Sequence, residues 1–283
     1  RVLAFILSLS GIWPFLRPSR LNRLDAKFSA PRITAALSLR TLLVCNVVFA
    51  AQISADSAIL IWGAALPEGV TYAEYAHRGA YPLIVATMLA GGFILIAANA
   101  RADEEQTRRI RRLIYLWLAQ TGLLLGSSAL RLAAYVEAYG LTHLRLAAFI
   151  WMVVVASGLM LIVIRIAVKR DARWLLAANV VTTGAILYVC CFLNFAATIA
   201  DHNADAQING TAKAEIDLEH FMALGPHAIP AADRLNETGA ITPLQTSTLA
   251  AWRKAHAAEL QTRHSDWRAF SLKDWRLARY LAG

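Results

Sequence analysis

Five runs of apolar residues, at 35–62, 71–100, 113–139, 144–164 and 175–200, restrict this chain more than anything else in it. About 20 such residues carry a helix through the ~30 Å hydrocarbon core of a bilayer, where only a segment that pairs its own backbone groups is stable. No alternating strand pattern accompanies the runs, so no sheet is expected. The expected fold class is therefore all-α. It is a polytopic transmembrane helical bundle of five full spans with a small extramembrane helical domain at the carboxy end, divided as 1–200 and 201–283. Val2 to Phe15 is too short to span and lacks a small-residue cleavage site, so it reads as the end of a truncated span, a partial sixth, and not as a signal peptide. A hydrophobic share of 58% against 17% charged residues places the chain in the same class.

The basic residues set the threading. Lys and Arg number five in 16–34, five in 101–112 and four in 165–173, against one each in 63–80 and 140–146. By the positive-inside rule the first three loops face the cytoplasm, which puts the intervening loops and the tail from Asp201 onward outside. The net charge of +9 thus orients spans, and no nucleic-acid partner is expected. Cys45, Cys190 and Cys191 all lie in apolar runs, so no disulfide braces the tail.

In the tail, 201–212 reads as a linker rich in Asn, Asp and Ala. Asp217 to Leu224 reads as a helix stopped by Gly225-Pro226, and His227 to Leu235 as a second. Thr242 as cap, with Pro243 at the first helical position, starts a third that carries Leu249, Trp252, His256 and Leu260 on one face. Ser271 with Asp274 opens a fourth. Trp252, Trp267, Phe270 and Trp275 interleave there with Arg and Lys, a pattern that suits a membrane surface or the mouth of the bundle.

The densest polar stretch is Thr71-Tyr72-Ala73-Glu74-Tyr75-Ala76-His77-Arg78-Gly79, where Thr71 and Glu74 fit a capping box at the start of the second span. Glu74, His77 and Arg78 share one helix face, with Glu74 four residues before Arg78 in the favourable order for an ion pair. A capped, solvated helix start is one reading; a binding site for a partner or lipid headgroup, or a general-base role for His77, are the others. Asp56 and Arg131 lie several residues inside their spans at similar depth. An isolated charge there costs on the order of 2.5–3.5 kcal/mol, which favours pairing between them, snorkelling by Arg131 being the alternative. Asn46, Gln52, Gln120, Asn179 and Asn194 are candidates for hydrogen bonds between helices.

The segment Ala64 to Gly69, continuing through Tyr72-Ala73-Glu74-Tyr75-Ala76-His77-Arg78-Gly79-Ala80-Tyr81-Pro82, the stretch Arg131 to Thr142, and Leu218 to Ala231 with its Leu-Gly-Pro and Ile-Pro-Ala elements resemble a bacterial multi-span family catalogued as domain of unknown function 4173. The resemblance covers most of the chain and is to the carboxy-terminal part of that family. It implies a bacterial inner-membrane setting and no chemistry.

No Cys-x-x-Cys, His-Glu-x-x-His, nucleophile-elbow or phosphate-loop pattern occurs, so neither a metal nor a cofactor is expected. The leading functional reading is a non-enzymatic envelope scaffold, assembly or signalling component. Its outer face, built from Asp56, Glu74, Tyr75, His77, Arg78, Arg131 and Glu137, would bind membrane lipids or another membrane or periplasmic protein. An enzyme acting on a lipid-linked substrate, with Glu74 or His77 as base and Arg78 or Arg131 on a phosphate, is the alternative. A transporter is disfavoured because no span is broken by proline at its middle and no repeated halves are visible.

Overall fold

A computed structural model describes residues 35–60, 104–212, 215–264 and 271–282. Every element among them is helical: α1 (Ala35–Leu60), α2 (Glu104–Tyr139), α3 (His143–Val168), α4 (Ala172–Phe192), α5 (Phe195–Ile208), α6 (Leu218–Ala223), a 3-10 turn (Pro226–Ala228), α7 (Ile229–Thr238), α8 (Pro243–His264) and α9 (Leu272–Ala282). Four of these, α1 to α4, are long and apolar enough to cross a membrane. The chain is a multi-pass membrane protein. Of the five full spans expected, the second lies outside the described residues, so four is the number among them.

Two element boundaries differ from expectation. The charged stretch 101–112 does not stay a loop, because α2 already begins at Glu104 and runs for 36 residues. Glu104 and Glu105 sit in its first turn, where negative charge complements the exposed backbone N–H groups, and Glu105 pairs with Arg109 one turn on at 2.5 Å. At ~1.5 Å per residue the helix is ~54 Å long, well beyond the hydrocarbon thickness. Its basic first turns therefore project from the membrane.

The apolar run 175–200 is the second case, since it is broken at its end. Helix α4 stops at Phe192, and Asn194 caps α5 by accepting a hydrogen bond from the Ala197 N–H. Asparagine competes well for orphan helix donors, and here it turns the chain six residues before the apolar composition runs out. Residues 201–208, expected as linker, are consequently helical.

The contacts divide the chain into two units, one of residues 1–128 and 152–187, the other of 129–151 and 188–283. In the first, Leu42 and Phe49 of α1 are buried against Ile114, Trp117, Leu118 and Leu124 of α2, with the Phe49 and Trp117 ring centroids 6.2 Å apart. Polar side chains join the same helices. Asn46 Nδ2 donates to the Leu42 carbonyl at 2.7 Å and to the Leu113 carbonyl at 3.2 Å, and Gln120 Nε2 donates to the Asn46 carbonyl at 3.1 Å. Helix α3 has no buried residue, and Val153, Met160 and, on α4, Val181 are exposed, as side chains that face lipid should be. Gly158 lets α3 approach α4: a Cβ there would stand 3.2 Å from Asn179 Oδ1.

In the second unit the core joins the end of α2 to the tail. Val136 and Leu141 meet Ile199, Ala200 and Ala204 of α5, Phe221 of α6, Ala231, Ala232 and Leu235 of α7, and Leu249 of α8. The alanines on α5 and α7 let these short helices pack closely. Ile229, Leu260 and Leu277 extend the core to α9. The tail helices follow the sequence reading, including the Thr242 cap. Thr242 and Gln245 exchange backbone-to-side-chain hydrogen bonds of 2.9 and 3.4 Å. The apolar stripe of α8 is also present, its imperfect member His256 donating from Nδ1–H within its own helix to the Trp252 carbonyl, 3.1 Å away.

Truncating Asn46→Ala in the first unit removes the donor shared by two helices. Such contacts average ~0.6 kcal/mol in membranes and reach ~1.7, so a loss of roughly 1 kcal/mol is expected in detergent-titrated unfolding of the full chain. A variant as stable as the parent would show that the Asn46 side chain does not help to hold α1 on α2.

Candidate functional site

The hairpin between α2 and α3 is a polar construction of the second unit, and it starts from a glycine. Gly140 follows the last turn of α2 with φ of 75° and donates its N–H to the Val136 carbonyl at 2.8 Å, a left-handed helix stop. Beside it, Asn203 of α5 treats Leu141 as a partner strand would: its Oδ1 accepts from the Leu141 N–H at 2.7 Å and its Nδ2 donates to the Leu141 carbonyl at 3.0 Å. A Cβ on residue 140 would stand 3.1 Å from Asn203 Oδ1, a tight contact that adds to the conformational demand for glycine at a φ of 75°. Arg145, counted from the sequence only as a lone outer-loop cation, closes the same hairpin. Its guanidinium donates to the Tyr139 carbonyl at 2.8 Å and to that of Gly140, and lies 4.2 Å from the Tyr135 ring centroid. A cation at the carbonyl end of a helix is where the backbone dipole favours it.

Behind this hairpin lies an open cavity of about 460 Å³ between the end of α2, α5 and the segment leading into α6. Its ionisable lining comprises Glu137, Glu215 and Asp217 with His202 and His220, and no Lys or Arg is found among its described lining residues. Asp217 is already committed, since its carboxylate caps α6 through the His220 N–H at 3.0 Å. His220 Nε2 and Gln207 Oε1 are buried without a hydrogen-bond partner among the described residues. Such a lining offers carboxylate acceptors and imidazoles to a bound group. No group of three His, Cys, Asp or Glu among the described residues is placed to hold a metal ion.

Of the residues expected at the outer face, Glu137 lines this cavity. Arg131 is buried in α2, 8% exposed. Asp56 belongs to α1, but its side chain lies outside the described residues, so a pairing with Arg131 does too. Glu74, Tyr75, His77 and Arg78, with the Thr71 cap, are likewise outside them.

The sequence reading missed the residues that hold the unit together. Arg234 of α7 donates to Asp201 at 2.7 Å and to Asp205 at 2.6 Å, one turn apart on α5. These half-exposed pairs are worth at most about 1 kcal/mol each, and their effect is to fix how α7 lies on α5. Asp233 receives Arg253 Nε of α8 at 2.8 Å and the Tyr280 hydroxyl of α9 at 3.1 Å, so one carboxylate joins three helices. Burial and the Asp233 carboxylate raise the Tyr280 phenol above its ordinary 10.0, which keeps it a donor. His227 Nε2 stands 3.1 Å from Asp274 Oδ1, yet burial outweighs the carboxylate and lowers the imidazole below 6.5. At neutral pH this contact is thus a hydrogen bond from a neutral ring. The spacing of Asp201 and Asp205 was a readable signal, hidden by taking the segment as linker.

The family model for a domain of unknown function (DUF4153) matches residues 1–235. This chain belongs to that family. The number 4173 expected from short motifs is thereby corrected; short Ala- and Leu-rich stretches of membrane helices share too much composition to separate one such family from another. No curated protein and no solved structure matches the chain.

Two outcomes follow for this DUF4153 unit. Gly140→Ala forces a side chain into a left-handed conformation, at a cost of about 1–3 kcal/mol, while Asn203→Ala strands both Leu141 groups, each worth about 1–3 kcal/mol if buried. Thermal unfolding of the full chain should show both losses, and their combination should be less than additive because the two residues touch. Separately, a folded His227 below 6.5 binds fewer protons than the unfolded chain, so this group makes stability rise with pH up to about 6.5 and leaves it level above. His227→Gln should flatten the acid limb of midpoint against pH; an unchanged slope would assign that limb elsewhere.

Proposed function

We propose that this protein is a non-enzymatic scaffold, assembly or signalling component of the bacterial inner membrane, with its tail on the periplasmic side, where the outer face binds a protein or lipid. The loop charges, five, five and four Lys/Arg against one and one, support the orientation. The observation that carries the role is how the charges of the second unit are used. Arg234, Asp201, Asp205, Asp233 and Arg253 join helices to one another, which makes a pre-shaped platform. The bundle division at 1–200 and 201–283 belongs to the same proposal, the second part being the binding face. Asp56, Glu74, Tyr75, His77, Arg78, Arg131 and Glu137 are its proposed membrane-proximal contributors.

An enzyme acting on a lipid-linked substrate is the second reading, to which the cavity's described lining brings Glu137, Glu215 and Asp217 with His202 and His220. Carboxylates with imidazoles still permit acid–base work on a neutral group, and this is what the cavity offers that reading.

Orientation and role are tested separately. A phosphatase that folds only in an oxidising compartment, fused after Gly283, should be active, whereas a fluorescent protein that fails to fold there should be dark; the opposite pair of results reverses the topology. For the role, a photo-crosslinking residue at the exposed Leu244 should trap one defined protein in stoichiometric amount from intact cells. Recovery of a monomer carrying only ordered lipid, with substrate turnover lost on Glu137→Gln, would favour the enzyme instead.

A further inference from the structure

Helix α9 has two faces with different chemistry. Leu277 is buried and Leu281 partly so against Ile229 and Leu260, and Asp274 turns inward to His227. The opposite face carries Leu272, Trp275, Arg276 and Arg279 at i, i+3, i+4 and i+7, all exposed, with Leu272 at 54% and Trp275 at 40%. The Arg279 guanidinium lies 5.0 Å from the Trp275 ring centroid. Since the one acid of the helix is spent inward, its outward face bears only cations, an indole and a leucine.

The start of this helix is tied to the end of a span. Lys273 Nζ donates to the Leu193 carbonyl at 2.5 Å, one residue beyond the last residue of α4. Tyr188 and Phe192, with ring centroids 4.9 Å apart, are exposed in the final turn of α4, and Leu193 is exposed beside them. Aromatic side chains at the end of an apolar span mark the boundary between hydrocarbon and headgroups. Residue 273 is therefore held within one lysine side chain of that boundary, on the same unit as the span end.

We propose that α9 lies on the bilayer as an interfacial anchor, with Leu272 and Trp275 at the headgroup boundary and Arg276 and Arg279 on anionic phospholipid headgroups. Three observations meet in this assignment: the position set by Lys273, the apolar stripe, and a cationic outward face complementary to an anionic surface. It rests on α4 crossing the membrane and is independent of the scaffold reading, which could fail while this holds. Indole and guanidinium suit the place, because both have an apolar body and a polar edge.

The test uses the full chain in vesicles, with Cys45→Ala, Cys190→Ala and Cys191→Ala, and a nitroxide on Leu272→Cys. In phosphatidylcholine vesicles containing phosphatidylglycerol, dissolved oxygen should relax the label more than a water-soluble nickel chelate does. Without phosphatidylglycerol, or with Arg276→Gln and Arg279→Gln, the chelate should gain at the expense of oxygen. Chelate dominance in phosphatidylglycerol vesicles for the parent overturns the placement. Oxygen dominance of equal size with and without phosphatidylglycerol overturns the headgroup recognition. An unchanged thermal midpoint for the glutamine variants separates loss of lipid contact from loss of folding, and the parent measurement alone decides the placement if they misfold.

Discussion

The two hydrogen bonds between Asn203 and Leu141 are the contact on which the second unit depends. A side-chain amide here does for a loop peptide what a neighbouring strand does in a sheet: it satisfies both the donor and the acceptor at once. A Cβ at 140 would crowd them, and the left-handed stop at Gly140 in turn exposes the carbonyls that Arg145 covers. Remove the amide, and the end of α2 loses its register against α5. The core that Val136 and Leu141 share with Ile199 and Ala204 would lose its alignment with it.

Polar groups serve different ends in the two units. Between α1 and α2, Asn46 and Gln120 donate to main-chain carbonyls of their own and the facing helix, in surroundings where no water competes. In the second unit, carboxylates and guanidinium groups do the joining in partly exposed places, where each pair contributes little energy but fixes orientation. Asp233 shows the difference most clearly, since its two oxygens receive a guanidinium from α8 and a phenol from α9.

The helical class was legible because bilayer thickness imposes a length on apolar runs and no sheet pattern competes. The tail helices were legible for a local reason: Thr242-Pro243, Gly225-Pro226 and Ser271 are punctuation whose chemistry acts within a turn. What escaped was set by competition between signals. Asn194 lies in a run whose composition says span, yet its side chain takes the orphan donors of the next helix and ends α4 at Phe192. Glu105 and Arg109 lie in a stretch whose charge density says loop, yet their spacing supports a helix. Neither the cavity nor its carboxylate lining is written in any short stretch, because Glu137, His202 and Glu215 come together only after Asn203 has fixed α5 against the hairpin.

Charge placement finally bears on what this protein is suited to meet. Acidic groups line the cavity, Arg234 of α7 and Arg253 of α8 are engaged by Asp201, Asp205 and Asp233, and the exposed guanidinium groups of α9 stand on a face that carries leucine and tryptophan. Beside Glu137, Glu215 and Asp217 a bound anion needs a neighbouring cation, since two like charges in a partly desolvated place repel by several kcal/mol at an effective dielectric of ~20. On α9, by contrast, Arg276 and Arg279 stand exposed beside Leu272 and Trp275. Under the proposed scaffold reading, that separation of charge suits a surface that docks.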